Sequence, residues 1–386
     1  MEVAAEESSS TLAVTISFCP YRCPGCAHRY LTEAASLAQK EDFTRHCLAK
    51  WEDKIRPITA PVQRTAYRDK VCLNVQEVNK LWQWGMAARK EFYPLSDCPL
   101  QTPAVNHLLQ QTMAVLNDAK IAQDEFPLKF ILINGPQMVW VIKSKPQQAM
   151  SDKVLPILRA QQDKLSSART SLWWHWNECC GRRVTTKKTW QKIWGADFAW
   201  ANGLRFGPMC FRQVHPTIYA AALQKAANYF AFTSSPSSLC LVDLFCGIGT
   251  SLSFWVKYGL AEENILGVEL NGEAIKFAAE NFPHVTFLRG TPEQRIPQII
   301  PWVEQREVYL FVNPPRLGLT TELRDFIGLN LRPQKIVYLS CSPGTLKRDL
   351  LDLTSLGLVV EEIFPFDFFP QTKHVENLVL LNRPAH

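Results

Sequence analysis

Apolar positions along the chain follow three different rhythms. Up to residue 58, the stretch TEAASLAQKEDFTRHCLAKWEDKI spaces its apolar residues as one amphipathic helix does. That first segment reads as a cap on something larger. From 65 to 206 short alternating runs dominate, among them VCLNV, KFILING, MVWVIKSK and SLWWHW, with one helical interruption at AVNHLLQQTMAVLNDA. This rhythm predicts a β-rich middle domain. After the helical stretch PTIYAAALQKAANYF, near-continuous apolar runs alternate with helical ones: LCLVDLF, NILGVEL, VTFLRG, EVYLFVNPP, KIVYLSCSP and ENLVLLNRP. Strands buried on both faces have that composition, so the last part is predicted to be α/β, a doubly wound Rossmann-like domain. The boundaries that follow are 1–58, 59–210 and 211–386.

With 386 residues, 47% hydrophobic and 20% charged, the chain can bury two ordinary cores and a small appended module. Forty-two Lys and Arg against 36 Asp and Glu leave +6, which suits a polyanionic partner without demanding one. The first 18 residues, MEVAAEESSSTLAVTISF, start acidic and hold only a short apolar run, so they predict neither a signal peptide nor a membrane span. A cytoplasmic monomer with no membrane partner is the expectation. In that reducing compartment the 12 cysteines read as thiols, metal ligands or catalysts, not disulfides. The middle stretch carries Trp82, Trp84, Trp140, Trp173, Trp174, Trp176, Trp190, Trp194 and Trp200 beside the basic GRRVTTKKTWQK. Aromatic and basic residues interleaved in this way suit single-stranded RNA, and equally a Trp-filled core with a charged edge.

Four stretches of the last domain carry chemistry. In VDLFCGIGTSL, Asp243, Gly247 and Gly249 mark a tight turn between strand and helix, where backbone can approach a ligand. Glu269 ends the next strand, where an acid can accept both ribose hydroxyls of an adenosyl group. A dinucleotide would fit that pair too, but the third glycine of its fingerprint is missing, which favours S-adenosylmethionine. VNPPRLG supplies Asn313 and a proline-stiffened loop at the same edge, with Arg316 where exocyclic-amine methylases keep an aromatic ring. YLSCSPG sets Cys341 on the turn after the following strand, and FFPQTKHVEN brings His374 and Glu376 just before the closing one. For a lone cysteine burial as a small apolar residue is the ordinary role; the Ser-Cys-Ser-Pro turn argues for a thiol lifted into the cleft.

At the front, CPYRCPGC gives Cys19, Cys23 and Cys26, and SDCPLQTP gives Cys98. Thiolates at such spacing suit an iron–sulfur cluster or zinc, with scattered free thiols as the plain alternative. The triplet also coincides with the motif of radical S-adenosylmethionine enzymes. Those need a barrel beginning at the motif, and here the β/α alternation starts about 200 residues later.

FRQVH, DLFCGIG, NPPRLG, SCSP and FPQTKHVE, in this order over about the last 180 residues, resemble the motifs of the RNA 5-methyluridine methyltransferases. The layout is most similar to members acting on 23S ribosomal RNA that lack an extra N-terminal RNA-binding barrel; transfer RNA is the other substrate of the family. Two departures stand out: His215 and Ser342 each replace an asparagine. The resemblance implies Gln213, Phe245, Glu269 and Asn313 as the S-adenosylmethionine site, Cys341 as nucleophile and Glu376 as proton acceptor. It also implies a [4Fe-4S] cluster on Cys19, Cys23, Cys26 and Cys98, and YRDKVCLNV echoes a further family motif of the middle domain.

C5 of uracil is too weak a nucleophile to take a methyl group from a sulfonium unaided. As the resemblance implies, a Cys341 thiolate adds to C6, C5 of the resulting enolate takes the methyl, and the C5 proton then needs a base. Arg316, Lys347 and Arg348 are the nearby cations that could favour the thiolate. Two rival readings stay open: a class I methyltransferase of amino groups, which needs neither Cys341 nor Glu376, and a non-catalytic RNA-binding iron–sulfur protein.

Overall fold

The computed structural model describes residues 19–165, 170–179, 184–186, 190–232 and 238–384. The acidic N-terminus and Arg182, Arg183, Lys187 and Lys188 of the basic stretch lie outside the described residues.

Helix α1 (Glu33–Cys47) starts where the Thr32 side chain accepts from the Ala35 amide. It is shorter than the periodicity predicted. Leu48 leaves helical geometry and a 3-10 stretch, Ala49–Lys54, kinks at Trp51. The kink lets Leu48, Trp51 and Ile55 drop into the core of the last domain, and 55–59 then run alongside its edge strand.

The middle segment is one seven-stranded sheet. Strands β1 (Lys70–Val78), β2 (Leu81–Ala88) and β3 (Glu91–Leu95) form a meander, joined by turns at Asn79–Lys80 and Arg89–Lys90. All four turn residues have positive φ, the turn geometry whose twist matches antiparallel strands. Helix α2 (Pro103–Asp118) leads to β4 (Leu128–Asn134) and β5 (Gln137–Ile142). Helices α3 (Gln148–Ala160) and α4 (Gln162–Leu165) cross over to β6 (Ser171–Trp176), which pairs parallel with β5 and antiparallel with β7 (Trp190–Trp194). The strand order is β3-β2-β1-β4-β5-β6-β7. Because α2, α3 and α4 contribute to the same core as Trp82, Trp84, Trp140, Trp174, Trp176 and Trp194, most of the tryptophans are core residues. Trp173 and Trp190 are half-buried, and Trp200 is 57% exposed.

A short hairpin, β8 (Ala199–Ala201) and β9 (Leu204–Phe206), leads into α5 (Pro216–Phe230). The last domain then alternates: β10 (Leu239–Leu244), α6 (Leu252–Lys257), β11 (Ile265–Glu269), α7 (Gly272–Asn281), β12 (Thr286–Arg289), α8 (Pro292–Val303) and β13 (Glu307–Val312). It closes with α9 (Thr321–Asp325), β14 (Lys335–Ser340), α10 (Pro343–Ser355), β15 (Val359–Phe366) and β16 (Glu376–Asn382). The order β12-β11-β10-β13-β14-β16-β15 is parallel except for β16. Residues of β13 and β14 alternate between two cores: Tyr309, Phe311, Val337 and Leu339 face α5, α6 and α7, whereas Leu310, Val312, Ile336 and Tyr338 face α8, α9 and α10. Both faces are thus covered, as the unbroken apolar runs require.

Candidate active site

Parallel strands deliver their following loops to one edge of the sheet. Phe245 and Gly247 follow β10, Glu269 ends β11, Asn313 follows β13 and Cys341 follows β14. Glu376 reaches that edge from the other direction, as the first residue of β16. In the antiparallel register Ser340 pairs with Asn377, so the next step sets Cys341 beside Glu376.

Three features shape this pair. Cys341 is half-buried, and burial, reinforced by the charge of Glu376, pushes its thiol up; the Arg316 guanidinium, which donates to the sulfur, works the other way. Glu376 is buried, which pushes its carboxyl up to about 8 against the opposing pull of Arg316. The Arg316 loop is fastened to the cysteine turn: the Thr345 hydroxyl donates to the Arg316 carbonyl at 3.2 Å and to that of Ser342 at 3.1 Å. Ser342, one of the two departures, caps α10 without a side-chain bond, and Ser340 closes the turn, its Oγ accepting from the Ser342 amide at 3.2 Å.

Around the glycine turn the geometry is that of a ligand cradle. Gly247 has φ +58 and a Cβ there would meet open space, whereas one at Gly249 (φ +86) would run into the Phe282 ring at 2.6 Å. Phe245 is left-handed at φ +66, a conformation that stores about 1 kcal/mol or more in a non-glycine residue and is commonest at functional sites. Glu269 accepts from the Gly247 amide at 3.1 Å and the Asn271 amide at 2.6 Å. Asp243 is buried beneath the turn, takes bonds from Ser251 (2.6 Å) and Trp255 (3.0 Å) on one oxygen, and leaves Oδ1 unpartnered. Burial pushes it up to about 7.

Gln213 is half-buried on the segment before α5, next to the second departure. His215 is buried, stacks on Tyr67 with centroids 4.8 Å apart, and its Nε2 pairs with the Gln63 carbonyl at 2.8 Å. Burial lowers its pKa, so the ring is neutral: Nε2–H donates and Nδ1 accepts from Thr217 at 3.0 Å.

A family model described as tRNA (Uracil-5-)-methyltransferase matches residues 300–384, the span that holds Asn313, Arg316, Cys341 and Glu376. An uncharacterised RNA methyltransferase of Protochlamydia amoebophila (strain UWE25) is 29% identical over 404 residues, covering 95% of this chain and 83% of the relative. One of Enterococcus faecalis (strain ATCC 700802 / V583) is 27% identical over 337 residues, with 82% and 71% covered. The chain is thus similar to RNA methyltransferases over most of its length and to the uracil-5-methyltransferases over its last part. The fold is similar to the crystal structure of the Pyrococcus abyssi tRNA (uracil-54, C5)-methyltransferase in complex with S-adenosyl-L-homocysteine. The TM-score is 0.70 over 93% of this chain and 86% of that one, at 19% identity. The open space at Gly247 and the acid at its rim fit the S-adenosylmethionine that the family uses.

The cysteines expected to hold a metal centre are Cys19, Cys23, Cys26 and Cys98. Among the described residues no group of three or more His, Cys, Asp or Glu side chains is arranged to hold a metal ion. The four cysteines do converge. Burial pushes Cys26 up to about 12, with the charges of Cys98, Cys23 and Cys19 adding to the rise, and burial raises Cys23 and Cys98 as well. Thiols so placed are protonated at neutral pH, and their thiolates would repel each other without a cation between them.

Sequence reasoning missed Tyr219, whose buried hydroxyl is hydrogen-bonded to the Asn313 side chain and feels the charge of Glu376. Nothing in its pattern marks it, since it sits on the apolar face of α5.

Proposed function

We propose that the chain methylates C5 of a uridine in ribosomal RNA, in the cytoplasm and as a monomer, through a covalent adduct between Cys341 and C6. The observation that supports it is the Cys341–Glu376 juxtaposition with Arg316 on the sulfur, at the same sheet edge as the cofactor cradle and separated from it by β13. S-adenosylmethionine supplies the methyl group, with Glu269 at the ribose and Gln213, Phe245 and Asn313 around it. The target base must leave its stack, which opposes binding by a few kcal/mol. Arg316 favours the Cys341 thiolate, which adds to C6; C5 takes the methyl; Glu376 accepts the C5 proton; the C5–H electrons re-form the ring double bond and expel the thiolate. An amino-group methylase needs neither Cys341 nor Glu376. Of the tryptophans we assign RNA contact to Trp200, exposed and 5.0 Å below the Arg205 guanidinium.

We also infer that Cys19, Cys23, Cys26 and Cys98 hold a [4Fe-4S] cluster. A single tetrahedral zinc on the same four thiolates is the rival reading, and it would draw the sulfurs to about 3.8 Å from one another. A cluster holds its cysteines further apart, because its body lies between them. The Gly25 amide donates to the Cys23 sulfur at 3.3 Å, a bond of the kind that tunes iron–sulfur centres. Anaerobically purified protein should be brown, with iron and sulfide in equal amounts; stoichiometric zinc or metal-free folded protein would overturn this.

The function itself is tested by mapping 5-methyluridine across ribosomal and transfer RNA with and without the gene. Loss at a ribosomal site supports the reading. Loss only in transfer RNA corrects the substrate, and no loss at any uridine overturns it.

A further inference from the structure

Helix α1 turns a polar stripe inward. Ser36, Lys40 and Thr44 are its buried residues, and their four-residue spacing puts them on one face. A buried ammonium is unfavourable unless it is paired and hydrogen-bonded, so its partners show what the face is for. Lys40 is ion-paired with the fully buried Asp367 and donates to the Phe369 carbonyl at 3.0 Å. Arg64 lies 3.0 Å from the other Asp367 oxygen. The Thr44 hydroxyl donates to Asn377 Oδ1 at 3.3 Å. Ser36 bonds the His28 ring at 3.0 Å, and the His28 amide donates to the Gln371 carbonyl at 3.0 Å. From outside α1, the Tyr67 hydroxyl donates to the Pro370 carbonyl at 3.2 Å. Directly, or through His28 in the case of Ser36, these contacts end on 367–377, the loop between β15 and β16 with the first two residues of β16, and the pair that closes the loop is Phe366 and Glu376.

We propose that this buried polar face, with Lys40 at its centre, is a positioning device that holds Glu376 against Cys341 and so sets the rate at which the C5 proton is removed. The proposal rests on the reading of Glu376 as the base. Lys40 touches neither RNA nor cofactor and acts only through the hairpin. Docking for stability alone is served as well by apolar residues, because exchanging a buried ion pair for a hydrophobic one is often neutral or stabilising. What the charged contacts add is a fixed register and angle at both ends of the hairpin. If the carboxylate is displaced, thiolate addition and methyl transfer remain possible; proton removal, and the C6–S cleavage that it drives, slow down.

The test uses the full chain, total RNA from cells lacking the gene, and methyl-labelled S-adenosylmethionine. Lys40→Met, which leaves Asp367 paired with Arg64, is compared with Glu376→Gln and with Lys40→Met/Asp367→Asn; the double variant, which serves if the single one folds poorly, removes the buried carboxylate too and leaves Arg64 to Glu33. Cofactor affinity equal to the parent's confirms folding. Label transfer in the first turnover should stay near the parent rate, steady-state turnover should fall between about tenfold and about a hundredfold, and a labelled protein–RNA adduct stable to denaturing electrophoresis should build up. Lys40→Arg should recover part of the turnover. Parent-like turnover without adduct in both Lys40 variants overturns the proposal, as does an equal loss of first-turnover transfer and steady-state rate, the mark of a purely structural role. If Glu376→Gln accumulates adduct and the Lys40 variants do not, positioning alone fails. If none accumulates adduct, the base assignment fails with it.

Discussion

In Glu376→Gln the carboxyl that would take the C5 proton becomes an amide of nearly the same shape. The parent carboxyl is 3% exposed, and burial raises its pKa from 4.5 to about 8. Between those values it is protonated in the fold and ionised in the unfolded chain. The folded state then binds more protons, so stability falls as pH rises through this window. At 1.36 kcal/mol per unit, the loss reaches at most about 3 kcal/mol at pH 7 and about 5 kcal/mol above pH 8. Glutamine carries no such penalty. Any fixed difference in amide hydrogen bonding is independent of pH, so the pH dependence is the diagnostic. With the last domain, 211–386, as the unit that melts, at about 2–4 °C per kcal/mol the variant should melt roughly 6–12 °C above the parent at pH 7 and within a few degrees of it near pH 5. Scanning calorimetry of both proteins across that range, with turnover measured alongside, checks the reasoning. A melting difference that stays flat between about pH 5 and pH 8.5 would refute the buried, ionisable carboxyl. Normal turnover would refute its role as base.

Glu269→Ala should weaken S-adenosylmethionine binding by about tenfold to a hundredfold, as expected when a charged acceptor is lost; unchanged affinity in calorimetric titration removes Glu269 from the site. Arg316→Met takes away the charge that lowers both Cys341 and Glu376, which must be deprotonated to act, so the acid-side, rising limb of the turnover profile should move up by about one pH unit or more, and an unmoved limb counts against that assignment. Trp200→Ala should raise the KM for RNA by about tenfold to a hundredfold without shifting the melting temperature; an unchanged KM places the RNA elsewhere.

The catalytic sheet was largely legible because strands buried on both faces write themselves as unbroken apolar runs, and the motif residues fall on the loops that follow them. β15 escaped, since VVEEIFPF is interrupted by two glutamates and a proline on an edge strand with a bulge after Val360. Helix α3 escaped because Pro156 lies inside it. Apolar alternation identified the middle sheet but not which tryptophans face water, a matter decided by where α2, α3 and α4 settle. Helix α1 misled most. Its buried face is Ser36, Lys40 and Thr44 while Phe43 is 49% exposed, the reverse of what hydrophobic spacing suggests. The partners that neutralise that face, Asp367 and Asn377, are more than three hundred residues away, beyond any local pattern.

The antiparallel pairing of β16 has a consequence for how this site tolerates insertions and deletions. In the hairpin loop between Phe366 and Glu376, residues 367–371 are docked on Lys40, Tyr67 and His28, so only the stretch after Gln371 can gain or lose residues while Phe366 still faces Glu376 and the base stays beside the cysteine. One residue added within β16 itself would turn every side chain on one side of it through the sheet. Either Glu376 or the rest of the strand would then face the wrong layer. Chain length is therefore less constrained in the few residues just before Glu376 than in the strand that follows it.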